Sequence, residues 1–184
     1  MEVKIAVCAI QLTFGLKQVY LAHFNTILIY PDRYYSTISK RYHCGEVNMR
    51  GCIVLSWKDF EAGYHHVNDG FNLGLHEMAH ALHLENLIKN NEFNFLNKED
   101  LQQWELLAAQ EIENSRSQTA DFKNNLNRFL RSQAFTDEHE FFAVCVESFF
   151  ERSKEFEQTH PQLYQTLCRL LNQDPNKGIY QQLT

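Results

Sequence analysis

The chain has 184 residues, 44% hydrophobic and 22% charged, with 7 glycines and 3 prolines; it is long enough to close one core, too apolar for intrinsic disorder and too poor in Gly and Pro for a fibrous protein. A formal net charge of −6 without a dense Lys/Arg stripe argues against a general phosphate-binding surface, so no direct nucleic-acid partner is expected. The longest apolar runs, Ile27 to Tyr30 and Phe141 to Val146, fall far short of the roughly 20 residues of a membrane-spanning helix, which leaves one domain over 1–184 and no membrane segment within it.

In chain order, Ile5, Cys8, Ala9 and Leu12 recur at helical spacing within 3–16. The start at Met1 has no signal-peptide layout, and is abrupt enough that an upstream segment is expected to be missing. Phe24 to Tyr30 is short, β-branched and stopped by Pro31-Asp32, so it predicts a strand; Cys52 to Trp57 predicts a second, opened by Gly51. The tyrosine-bearing stretch between them is polar. A loop from His65 to Gly70 leads into a helix, with Asn68 or Asp69 as N-cap. Further helices are expected over 101–113, 121–130, 137–152 and 161–171, then a frayed tail from Asp174 to Gly178. The fold class is α+β, a small sheet followed by a mainly helical body. Five cysteines, an odd number without a C-x-x-C pair, read as free thiols of a reducing compartment, which points to the cytoplasm. Cys44 and Cys52 are the one pair placed to bridge, across a hairpin.

The chemistry concentrates in His76-Glu77-Met78-Ala79-His80. Residues four apart on a helix lie one turn above each other, so His76 and His80 can aim imidazole nitrogens at one Zn²⁺. Glu77 lies about 100° round the helix, where its carboxylate can take a proton from water rather than bind the metal. Chance supplies roughly 0.04 such motifs in a chain of this composition, and the apolar neighbours Leu75, Met78, Ala79 and Leu82 fit a buried active-site helix. A third ligand is required. Asn86 stands where a third histidine of the extended H-E-x-x-H-x-x-G-x-x-H motif would fall, which turns attention to the segment from Asp137 to Glu147. Glu140 and Glu147 share a stripe of that otherwise apolar helix, and burying a carboxylate there is costly unless it is paired or metal-bound. Glu140 is taken as the ligand and Glu147 as a group orienting a ligand histidine; Glu147 and His139 remain the alternative ligands.

The blocks Gly70 to His80, Glu140 to Val144 with Glu147 and Phe149-Phe150, His160-Pro161 and Gln173-Asp174-Pro175, with Leu28 to Pro31 and Ile53 to Trp57, follow one another in an order that resembles the MtfA family of zinc-dependent peptidases over about residues 5–175. The resemblance implies a zincin-like fold of gluzincin type. It also implies one zinc held by His76, His80 and Glu140, Glu77 as general base, and peptide substrates cut from the amino end. Three departures stand out. His83 takes the place of a usual Asp, Gln133 that of a usual Tyr that would stabilise the oxyanion, and the family's N-terminal helical segment is absent. Phe135 nearby has no hydroxyl, which leaves Tyr64 or Tyr164 as substitutes. The strand from Cys52 to Trp57 is expected to align the substrate along a sheet edge, with His65-His66 near the site. A second reading is a binding protein that sequesters a transcriptional repressor, with the zinc largely structural. The presence of Glu77, dispensable for holding metal, favours the enzyme.

Overall fold

A computed structural model describes residues 1–17, 19, 21–37, 39–66, 69–88, 95–117 and 129–178. Helix α1 (Glu2–Thr13) buries Ile5, Cys8 and Leu12, the stripe its spacing anticipates. Five short strands follow: β1 (Thr26–Tyr30), β2 (Tyr34–Ser36), β3 (Arg41–His43), β4 (Gly45–Asn48) and β5 (Cys52–Ser56). Strands β2 and β3 form an antiparallel pair, while β5 runs between β1 and β4, parallel to the first and antiparallel to the second. The expectation that the strand from Cys52 offers an edge to substrate is therefore corrected. Both sides of β5 are already paired, and the free edge beside the helical body belongs to β4.

Trp57 is the first residue of α2 (Trp57–His65) rather than the last of β5. Ser56 ends the strand and caps the helix, its hydroxyl accepting from the Asp59 amide at 3.3 Å. Cys44 and Cys52 are both free. Cys52 sits opposite Asn48 and Leu55 opposite Gly45, so the two thiols lie about four residues, roughly 13 Å, apart along the ladder, beyond disulfide reach. Cys8 and Cys145 are buried free thiols, and Cys168 is half-buried.

The helical body comprises α3 (Leu73–Ile88), α4 (Lys98–Ser117), a 3₁₀ turn (Ser132–Phe135), α5 (Glu138–Glu151), α6 (Ser153–Thr159) and α7 (Pro161–Leu171). Of the helix expected over 121–130, residues 121–128 lie outside the described residues, as does Asn68. The cap of α3 is Asn72, whose Oδ1 accepts from the Leu75 amide at 3.0 Å. Asp69 instead accepts from Phe71 N–H in the turn before it. Helix α5 is buried from Phe141 through Phe149 on all sides, as a helix at the centre of a core must be. Trp104 of α4 packs on Phe141 and Phe142, with ring centroids 5.8 and 5.6 Å away. Each such aromatic contributes about 1.5–3 kcal/mol through burial. The segment after α7 is tied down rather than frayed: Tyr164 donates to Asp174, Asn176 to Glu157 and Gln173 to the Leu12 carbonyl.

Candidate metal centre

Helix α3 carries His76 and His80 one turn apart, and the first turn of α5 brings Glu140 to them. The Nε2 atoms of the two histidines stand 3.1 Å apart. Glu140 lies 3.4 Å from Nε2 of His76 and 3.6 Å from Nε2 of His80. One donor atom from each residue falls within 4.8 Å of the others, a grouping that suits a metal ion. Two imidazoles and a carboxylate are also the donor types of a catalytic zinc site.

The surroundings fix these donors. Nδ1 of His76 donates to Oε1 of Glu147 at 2.6 Å, which leaves Nε2 free to face Glu140. Glu147 is fully buried. Its charge is met by Arg131 and by the Asn72 amide, which donates to Oε2 at 2.6 Å. Glu140 is held by Gln133, whose Nε2 donates to it at 2.7 Å, and its helix is capped by Asp137, which accepts from the amides of His139 and Glu140. Burial opposes a proton on His76, yet Glu140 and Glu147 outweigh it and raise the imidazole to about 10. Burial would likewise raise Glu140, but the bonds to His76 and His80 hold it well below the carboxylate range. A locus that attracts positive charge this strongly suits a metal cation.

Glu77 is buried beside this group, and its Oε2 has no hydrogen-bond partner among the described residues. Burial first, then the nearby charges of Glu140, Glu147 and Glu46, raise its carboxyl to about 8, although His76 pulls the other way. All four groups open on a cleft of about 770 Å³, walled by Arg41, Tyr42, Glu46 and Val47 on one side and Arg131 and His139 on the other.

Other candidates lie elsewhere. The His139 ring faces His83, centroids 4.8 Å apart, and is outside the donor group. His83 packs edge-on against Phe142. Tyr164 is buried on Asp174, Tyr64 stacks on Phe60 under Lys4, and neither lines the cleft; nor do His65 and His66. Sequence reasoning missed Asn72, Arg131, the bond from Gln133 to Glu140, and Gly45, which lies against Glu77. Only Asn72, an N-cap type three residues before Leu75, carried a local signal.

Comparison with known families finds a match by family model, to a family described as metallopeptidases. The chain belongs to this family, glucose-regulated metallo-peptidase M90, whose model matches residues 1–171, and membership implies a metal ion. Relatives include an uncharacterized protein of Synechocystis, 30% identical over 163 residues, and proteins named Mlc titration factor A from Salmonella arizonae, 31% over 185 residues, and Salmonella gallinarum, 31% over 173. The matches take in 82%, 94% and 87% of this chain but 58%, 71% and 63% of the respective relatives. No described helix is long and apolar enough to cross a membrane.

Proposed function

We propose that the chain is a zinc-dependent peptidase with a zincin-like fold in one domain over 1–184. His76, His80 and Glu140 are its metal ligands and Glu77 its general base. The observation that carries this reading is the convergence of three ligand atoms within 4.8 Å beside a buried carboxylate, one oxygen of which has no partner among the described residues. A zinc ion bound there supplies Lewis acidity toward water and the scissile carbonyl. Glu77 takes the proton from the attacking water and returns it to the departing amine. Burial and the neighbouring carboxylates raise this carboxyl in the metal-free protein, and the charge of a bound cation beside it would act the other way, favouring the ionised form that accepts the proton. The substrate peptide adds to the free edge of β4, whose Gly45, Glu46 and Val47 line the cleft, and cleavage from the amino end follows from the family likeness. Five free cysteines support a cytoplasmic setting.

Zinc per chain, measured by elemental analysis on protein purified without chelator, tests the ligand set. The parent is expected near one and Glu140→Ala far lower; zinc retained in that variant moves the third ligand to Glu147 or His139. Glu77→Gln is expected to keep zinc and to lose peptide hydrolysis by at least about 100-fold. Unchanged turnover would remove Glu77 from the mechanism. The name Mlc titration factor A, borne by the Salmonella relatives, motivates a second reading in which this chain sequesters a transcriptional repressor around a structural zinc. On that reading Glu77→Gln binds the repressor as the parent does, and no peptide in a digest is shortened by either protein.

A further inference from the structure

We propose that Gly45 seats the Glu77 carboxylate: the missing side chain at 45 is what allows the proton acceptor to stand where it does. The inference rests on the reading of Glu77 as general base and adds a positioning residue to it. Gly45 opens β4 and pairs with Leu55 of β5. It is not among the glycines with positive φ, which are Gly51, Gly70 and Gly178, so its backbone is open to any L residue. Space, not conformation, demands glycine. A Cβ at 45 would overlap Oε1 of Glu77 and stand 2.5 Å from its Cδ and 2.8 Å from its Cγ.

What a side chain would meet distinguishes this glycine from the others. At Gly74 a Cβ would strike Cys8 and Phe60 in the core, and at Gly15 the backbone carbonyls of Leu171 and Asn172; those glycines serve packing. At Gly45 the three nearest atoms all belong to the outer part of one side chain. An added methyl can therefore be accommodated by swinging Glu77 aside, with strand and helix left in place. The three nearest atoms belong to Glu77 and none to His76, His80 or Glu140, so the closest overlap falls on the proton acceptor rather than on a metal ligand. Gly45 therefore bears on proton transfer before it bears on metal binding. A displacement near 1 Å in a reacting group can cost about 100-fold in rate.

The experiment compares zinc-loaded parent, Gly45→Ala, Glu77→Gln, Glu77→Asp and Gly45→Ala/Glu77→Asp on one readily cleaved member of a tryptic peptide pool. Gly45→Ala is expected to hold parental zinc and a thermal midpoint near the parent's, with kcat about 100-fold lower and KM within about threefold. In the Glu77→Asp background the shorter carboxylate no longer reaches the strand, so adding Gly45→Ala is expected to cost less than about threefold. Equal losses in the two backgrounds overturn the inference. So does a Gly45→Ala protein with parental kcat while Glu77→Gln is inactive, or one that unfolds or drops its zinc, since the glycine would then serve the fold. Activity retained by Glu77→Gln overturns the reading of Glu77 as general base, and with it the need for a seat; a zinc-loaded parent that cleaves no peptide of the pool overturns the peptidase assignment itself.

Discussion

His76 is gripped at both ring nitrogens, one facing Glu140 and the other bonded to Glu147. A buried carboxylate is tolerable only with its charge met, and Arg131 and the Asn72 amide do this for Glu147. On the proposed ligand set, removing that charge acts on the metal through the histidine. Glu147→Gln retains the shape, but its neutral amide holds Nδ1–H less firmly and takes away the carboxylate that Arg131 pairs with. Zinc affinity is expected to fall by about 10–100-fold, read by competition with a chelator, while circular dichroism of the helices stays as in the parent. Parental affinity in that variant would mean that Glu147 merely fills space.

Helices α3 and α5 bring the candidate ligands together, so the first turn of α5 carries a burden beyond packing. Asp137 caps it through two amides, one of them that of Glu140 itself. Asp137→Ala is expected to cost about 1 kcal/mol of stability and to weaken zinc binding as well, because fraying of that turn releases Glu140. A stability loss with unaltered zinc affinity would uncouple the cap from the site. Both helices were legible in the sequence. Their long apolar patterns and the His76–His80 spacing are local, and Glu140 stood out as a charge on an apolar stripe. Strands β2, β3 and β4 were not, since runs of three or four half-exposed residues show neither period nor apolar bias. Helix α2 was hidden because Trp57 prolongs the apolar run of β5. Gly45 and Arg131 owe their roles to residues 32 and 16 positions away, at Glu77 and Glu147, and no local pattern encodes such a contact.

At the scale of the whole molecule, acid should loosen the fold through His83. Burial, with smaller contributions from His139 and His80, lowers this imidazole from the ordinary 6.5 to about 4. Between those values the unfolded chain takes up a proton that the folded chain refuses, so stability falls as pH drops through the window. The full difference corresponds to up to about 3 kcal/mol. Replacing His83 by leucine keeps an apolar contact for Phe142 and removes the proton site. Urea midpoints at pH 7 and pH 5 with chelator present, so that metal loss does not contribute, are expected to drop less in His83→Leu than in the parent. Other titrating groups act in both proteins, so the difference between the two drops isolates His83. Equal drops would place His83 in contact with water when folded, against the packing of its ring on Phe142 and His139.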